Sequence, residues 1–391
     1  MTIPVLTVQL PSINVQLAEY SELFTLISAC LYTLAFILFT VDTARSSATI
    51  RRVEAELAAE QSSSRERVGA AAGTASSGAA ASEASASPAT SGSGTGAPGA
   101  ADRPEGTSAG SAAAEPELVD ADMAYLGTRR PFANVAIALT AVGAAGHAFA
   151  VVARGLAASR WPLGNMYEFL VGAALVVTVV YLAALLRRDL RFLGIFVLGL
   201  VVTMMVAATI GFPTPVGHVQ PALQSPWIAI HVSLAVLAIS LFTLTFAMNV
   251  LQLVQSRREK ALESAGGEGR FERTVARWQF MRLVPQAFSL ESWAYRLNAV
   301  AFVFWTVGPL ITGAIWAQQS WGRYWGWDPK EVWTFVIWVV YAGYLHARAT
   351  RGWTGNRAAW LSIIGFGCII INYAVVNVFF PGLHSYAGLP E

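Results

Sequence analysis

Long stretches without a charged residue alternate with short charged segments along most of this chain. The first three uncharged, apolar runs lie within residues 22–42, 130–154 and 168–187. Because a helix needs roughly 20 apolar residues to cross a bilayer, each run predicts one membrane-spanning helix.

The longest uncharged stretch covers the 65 residues from 192 to 256, which is enough for two such helices. Its middle, residues 211–226, is rich in Gly, Pro and Ser and predicts the turn between them. Three further runs lie within residues 296–323, 331–348 and 357–391. The sequence therefore predicts an all-α polytopic integral membrane protein with about eight transmembrane helices.

The segment between the first and second spans has a different composition. Of residues 71–100, 29 are Ala, Gly, Ser, Thr or Pro. Such a segment buries too little apolar surface to offset its ordering entropy, so we expect a disordered cytoplasmic linker. The predicted domains are residues 1–42 with the first helix, the low-complexity linker at 43–130, and a seven-helix domain at 131–391. Residues 1–42 lack a basic n-region and a small-residue cleavage site, so the first helix is interpreted as a retained anchor.

Composition supports the membrane assignment and excludes other classes. The chain is 55% hydrophobic and 13% charged, about half the charged fraction of soluble domains, which excludes a soluble enzyme with one core. A net charge of +2 gives no indication of nucleic-acid binding. Cys30 and Cys368 lie in apolar runs without a CxxC pair, so neither a thiolate metal site nor a disulfide framework is indicated.

The distribution of basic residues predicts the orientation of the helices. With the N-terminus outside, the cytoplasmic segments carry 22 of the 26 Lys and Arg residues, and only Arg154, Arg160, Arg323 and Lys330 lie outside. This asymmetry follows the positive-inside rule. It predicts a membrane protein with both termini outside and with the loop at 320–333 on the outer face.

Two of the five histidines are expected close together at the outer face. Ser225 and Pro226 have the pattern of an N-cap followed by proline at N1, so His231 lies about 8 Å inside its helix. His384 follows a Pro-Gly break at the outer end of the last span. The two imidazoles could bind a haem iron from both faces. Hydrogen bonding of a neutral imidazole across helices is the alternative for any single one.

The densest aromatic cluster is Trp321–Trp333, which contains four Trp and one Tyr. Trp321, Trp325 and Trp327, spaced by glycines, predict an aromatic platform for a planar hydrophobic ligand, whereas an aromatic belt at the membrane interface is the alternative. Trp227, one helical turn before His231, is a further candidate for this site.

Charged and polar residues around this loop have both structural and binding interpretations. Arg323 and Lys330 would suit carboxylates of the planar ligand. Asp328 has the N-cap position before a proline at N1 and a glutamate at N3, which predicts a capping box. Asn165 and Glu168 have the same spacing and either cap the third helix or contact the ligand edge. His147, beside small residues, either supports close helix packing or is a further candidate for cofactor binding.

The loop resembles the tryptophan-rich WWD signature of the haem-handling proteins of cytochrome c biogenesis. Leu223–Val232, Gly164–Glu168 and Gly382–Tyr386 narrow the resemblance to the CcsA-type subunit of the system II (ResB/ResC-like) machinery. The resemblance covers about residues 131–391.

This resemblance implies a role in c-type cytochrome biogenesis. In that family the tryptophan-rich loop holds haem b on the outer face, and residues matching His231 and His384 ligate its iron. His346 matches a histidine of a second haem position deeper in the membrane, on the export route. A ResB/CcsB-like membrane partner completes that site and binds apocytochrome c, whose CxxCH thiols add across the haem vinyl groups. The chain would then be a subunit of a holocytochrome c synthase, although no side chain is an obvious covalent nucleophile.

The sequence disfavours two other classes of function, a di-haem electron-transfer cytochrome and a transporter of another planar solute. His346 lies roughly 21 Å from the outer start of its helix and His147 roughly 24 Å from the inner end of its own, at 1.5 Å per residue. The two are therefore unmatched as co-ligands, which disfavours a di-haem electron-transfer cytochrome. A transporter of another planar solute would show inverted repeats, and none is evident in the sequence.

Overall fold

The computed structural model is built of helices joined by turns. It describes residues 12–79, 130–219, 221–264, 270–350 and 353–384, and no strand occurs within these ranges. The predicted all-α class is confirmed. Two compact units can be separated, one formed by residues 1–46 and 118–391 and the other by residues 47–117.

The first helix, α1, spans Val15–Ala79 and is longer than the sequence predicts. Its residues 43–79, which we assigned to the linker, continue the helix, because Ala, Glu and Arg are frequent there and favour helical backbone. The low-complexity residues 80–129 lie outside the described part of the chain, so the domain boundaries stay a prediction.

The remaining helices belong to the first unit. The long ones are α2 Pro131–Ala157, α3 Met166–Leu185, α4 Gly194–Val206, α5 Pro226–Glu263, α7 Ala287–Trp305, α9 Pro329–Ala349 and α10 Asn356–Ile370. The short ones are α6 Arg270–Ala276, α8 Gly313–Trp321 and α11 Asn377–Phe379.

Seven helical stretches of the described chain are long and apolar enough to cross a membrane. The eighth predicted span is α9, which has 21 residues but carries Lys330, Glu331, His346 and Arg348 near its ends and is therefore less apolar. Together they make the chain a multi-pass membrane protein.

Three helices change to π-helical turns near their ends. These turns cover Ala207–Gly211 after α4, Thr306–Thr312 between α7 and α8, and Ile371–Val376 between α10 and α11. Pro309 lies inside the second turn and lacks the N–H that a regular helix would use. Such turns occur frequently at functional sites, and two of the three border the cavity described below.

Helix α5 lies against two hydrophobic clusters that hold the bundle together. One cluster joins α1 to α4 around Tyr32, Phe39 and Tyr181 and continues onto α5 and α7. The other joins α5, α7, α9 and α10, where the Phe242 and Tyr341 rings stack with centroids 3.8 Å apart. Because α5 contributes residues to both clusters, its middle part is fixed against several helices at once.

Candidate functional site

An open cavity of about 1200 Å³ lies where the tryptophan-rich loop, the start of α5 and the end of the last span meet. Its wall comes from α3, α5, α8, α9 and two of the π-helical turns. This volume includes space that is open to solvent, so the lining residues are what indicate the kind of ligand that the cavity fits. Its lining is mostly apolar and aromatic, with few polar side chains.

His231 projects into this cavity from the second turn of α5. The predicted N-cap is confirmed, because the Ser225 side chain accepts a hydrogen bond from the Trp227 N–H. The His231 Nδ1 lies 3.2 Å from the carbonyl oxygen of Gly308 in a π-helical turn. Because a carbonyl oxygen only accepts, Nδ1 carries the hydrogen and Nε2 keeps the lone pair that a metal ligand needs.

His384 also lines the cavity, and the Nδ1 atom of its ring contacts a carboxylate group. Its Nδ1 lies 2.8 Å from Asp328 Oδ2, and the other oxygen of Asp328 accepts the Leu383 N–H at 2.6 Å. The side chain of Asp328 is almost completely buried. A carboxylate on the second nitrogen of an imidazole is typical of metal-binding histidines, since it fixes the ring orientation and tautomer.

Asp328 is ionised in this environment. Burial alone would raise its pKa, but hydrogen bonds from His384 and the Leu383 N–H favour the charged form and hold the pKa below its usual value. Asp328 also forms the predicted capping box of α9 with Glu331. The same carboxylate therefore starts α9 and orients His384.

Trp316 contacts both histidines and was not predicted from the sequence. Its ring stacks on His231 with centroids 5.9 Å apart and meets the edge of His384 at 5.4 Å. Trp321 contacts both Trp316 at 4.6 Å and His384 at 5.0 Å. Trp316 belongs to α8, outside the loop motif, and its only signal in the sequence is its spacing of five residues before Trp321.

The predicted aromatic platform is divided between the cavity and the surface. Trp325 lines the cavity and meets Trp327 edge-on at 5.8 Å. Trp327 is 73% exposed and has a positive φ of 59°, a conformation that bulky residues rarely adopt. Arg323 is exposed, and neither it nor Trp227 is among the residues that line the cavity.

Among the other candidates, Asn165 and Lys330 line the cavity, whereas Glu168 does not. Asn165 caps α3 as predicted, since its side chain accepts the Glu168 N–H at 2.9 Å. Glu168 is buried and paired with Arg154 and Arg160 at 2.9 Å and 2.7 Å. These arginines also reach backbone carbonyls between residues 214 and 217. The cluster therefore joins two loops and holds Asn165 in place.

The structure places His147 and His346 apart from the cavity. His147 is fully buried, and its Nδ1 lies 3.3 Å from the Tyr32 hydroxyl group on α1. His346 is exposed in the last turn of α9, which begins at Pro329. Its position is therefore about 25 Å along the helix, somewhat further than the sequence predicts.

A separate polar cluster lies among α5, α7 and α10 and was not identified from the sequence. Asn298 accepts a hydrogen bond from Thr245 at 2.7 Å and donates one to Ser362 at 3.0 Å. Asn249 donates to the same Ser362 hydroxyl at 2.9 Å. Cross-helix bonds of this kind stabilise membrane bundles, and single polar residues in apolar runs are the signal that marks them.

Comparisons with known proteins agree with this architecture. The sequence profile of the family described as Cytochrome C assembly protein matches residues 163–384, from the turn before α3 to His384. A "Cytochrome c biogenesis protein CcsA" from Heterosigma akashiwo is 34% identical over 253 residues, which cover 59% of this chain and 77% of that protein.

Two cyanobacterial proteins with the same name are similarly related. The Synechococcus elongatus protein is 33% identical over 287 residues, covering 63% of this chain and 88% of that protein. The Gloeobacter violaceus protein is 31% identical over 280 residues, covering 60% and 82%. This chain belongs to the cytochrome c assembly family, as a CcsA-type membrane protein of c-type cytochrome biogenesis.

Proposed function

We propose that this protein binds haem b in the cavity between His231 and His384 and presents it for attachment to apocytochrome c. The observation that carries the proposal is the pair of imidazoles whose Nδ1 atoms are both occupied, by Gly308 and by Asp328. Both Nε2 atoms are left for a metal at the edge of one aromatic-lined cavity.

The donor set and the lining suit haem as the transported substrate. Iron in haem takes imidazole ligands on both faces, and the porphyrin plane needs an apolar surface. Trp325 and Tyr324 line the cavity from the loop, and Trp316 and Trp321 surround the histidines. Such aromatic walls remove water from a flat ligand and fix its orientation.

We propose that the protein promotes attachment of the bound haem by holding the reacting groups close together. Each cysteine thiol of a CxxCH segment adds across one vinyl group, so that sulfur bonds to the inner vinyl carbon and hydrogen goes to the outer one. Holding the vinyl groups next to the thiols lowers the barrier by several kcal/mol when the geometry is good. The CxxCH histidine would replace one resident imidazole when haem leaves.

We further propose that His346 belongs to a second haem position on an export route. It lies exposed at the far end of α9 from the cavity, so either a second ligand comes from another chain or this site is not bis-histidine. A ResB/CcsB-like membrane partner would supply that ligand and bind the apocytochrome. The distribution of Lys and Arg supports an orientation with the cavity on the outer face of the bacterial plasma membrane.

The proposal is tested by replacing the two histidines in cells that mature a c-type cytochrome. In His231→Ala and His384→Ala we expect loss of co-purified haem and at least a tenfold loss of covalently attached cytochrome haem, because each variant lacks one axial ligand. His218→Ala, an exposed loop histidine, is the matched control and should leave both quantities unchanged. Unchanged haem content and maturation in His384→Ala would refute the ligand assignment.

A further inference from the structure

Lys330, a cationic side chain in the cavity wall, forms no close ion pair with a described residue, and the Asp328 carboxylate attracts it only from a longer distance. Lys330 follows the first residue of α9, and its Nζ donates a hydrogen bond to the backbone oxygen of Asn372 at 3.1 Å. The same ammonium lies over the Tyr373 ring at 5.7 Å from the centroid. Both contacts come from the π-helical turn Ile371–Val376 of the last span.

This arrangement leaves hydrogen-bonding capacity unused. An ammonium group has three donors, and the described residues accept one of them, at Asn372. Asn372 itself is 6% exposed, and its amide oxygen has no hydrogen-bond partner among the described residues. A carboxylate cannot satisfy this buried oxygen, whereas the amide nitrogen of Asn372, which is not among the buried unpaired atoms, is a donor that a ligand at the cavity wall could use.

The unused groups match the chemistry of a carboxylate. Two ammonium hydrogens of Lys330 can bind its oxygens, and the amide nitrogen of Asn372 can donate a further hydrogen. The aromatic face of Tyr373 keeps the ammonium at the wall by a cation–π contact. Arg323, the other cation of the loop, is exposed and is not among the lining residues.

We propose that Lys330 and Asn372 form a carboxylate subsite that binds a propionate of the porphyrin held in the cavity. This inference rests on the proposed function. It identifies the propionate as the part of the ligand that Lys330 and Asn372 recognise. The subsite fixes the rotation of the porphyrin about its iron, because the imidazoles alone hold the metal without distinguishing the ring edges.

Binding of two porphyrins to the purified full-length protein in detergent tests the subsite. The probes are iron protoporphyrin IX and its dimethyl ester, in which both carboxylates are capped. We expect the wild type to bind the free acid about tenfold or more tighter than the ester, as for hydrogen bonds to charged groups. Lys330→Gln should remove this preference by weakening free-acid binding while ester affinity stays unchanged.

Further variants separate the subsite from general effects. Lys330→Arg should keep the preference, and Asn372→Asp should remove it, because a second carboxylate would occupy the ammonium. Arg323→Gln is the matched control and should keep it.

Equal affinities of the wild type for both porphyrins, or a preference that survives in Lys330→Gln and Asn372→Asp, would overturn the subsite while leaving the haem site intact. Failure of the wild type to bind either porphyrin would overturn the proposed function itself, and the subsite with it.

Discussion

At the scale of single residues, Asp328 joins a structural role to a binding role. The sequence predicts its N-cap position from the proline at N1 and the glutamate at N3, and the structure confirms that capping box. The contact with His384 could not be predicted, because it joins residues 56 positions apart and depends on how the last span ends. Local spacing thus predicts a helix cap, whereas a contact between residues distant in the sequence can be identified only from the three-dimensional structure.

Replacing Asp328 by Asn separates these two roles. Asparagine is also a good N-cap, so α9 should still form. One carboxylate oxygen becomes an amide donor, however, so either His384 Nδ1 or the Leu383 N–H loses its acceptor. We expect haem affinity to fall about tenfold to 100-fold, as for other partners of metal-binding histidines. Titration of the purified variant with haem measures this change.

The control for this substitution is Asp189→Asn, which removes a carboxylate that pairs with Arg191 between α3 and α4. Its haem affinity should equal that of the wild type, and the helix content of both variants should be unchanged. An Asp328→Asn variant with wild-type affinity would show that the carboxylate does not position His384.

At the scale of helices, the irregular turns build the cavity that the regular spans surround. The π-helical turn Thr306–Thr312 presents the Gly308 carbonyl to His231, and Ile371–Val376 presents the Asn372 carbonyl to Lys330. Charge-free runs in the sequence predict where spans lie, because lipid excludes charge. They do not distinguish α from π backbone within a span, so the anchoring carbonyls and Trp316 could not be predicted.

Gly313 is a position where helix α8 packs tightly against His231. A Cβ atom there would lie 2.8 Å from His231 Nδ1 and 2.9 Å from Cε1, too close for either ring or helix to stay in place. We therefore expect Gly313→Ala to displace the imidazole and to lower haem affinity at least tenfold. The overpacking should lower the free energy of unfolding by about 1–3 kcal/mol.

Gly343→Ala is the matched control for this change. A Cβ atom at residue 343 of α9 meets no other atom within 4 Å, and alanine favours a helix over glycine. This variant should keep the haem affinity of the wild type. Its thermal stability should equal or slightly exceed that of the wild type. Equal haem binding by Gly313→Ala and Gly343→Ala, measured by titration, would contradict the close contact.

At the scale of the whole molecule, the groups that the proposed function needs lie together at one end of the helix bundle. Residues from α5, α8, the loop before α9 and the end of the last span meet at one cavity. The sequence predicts this gathering for His231, His384 and Trp325, because caps and turns place them at the same end of their helices. It could not predict that Trp327 would point to solvent, since the backbone conformation of the loop decides that.

The central claim is that haem in the cavity has His231 and His384 as its two axial ligands. The most direct test is the optical and electron paramagnetic resonance spectrum of the purified protein with haem bound. We expect a low-spin, bis-imidazole spectrum for the wild type. Either His231→Ala or His384→Ala should convert it to a high-spin spectrum, and added imidazole should restore the low-spin form. His346→Ala should keep the low-spin signal with a lower haem content. A bis-imidazole spectrum that persists in both His231→Ala and His384→Ala would contradict the claim.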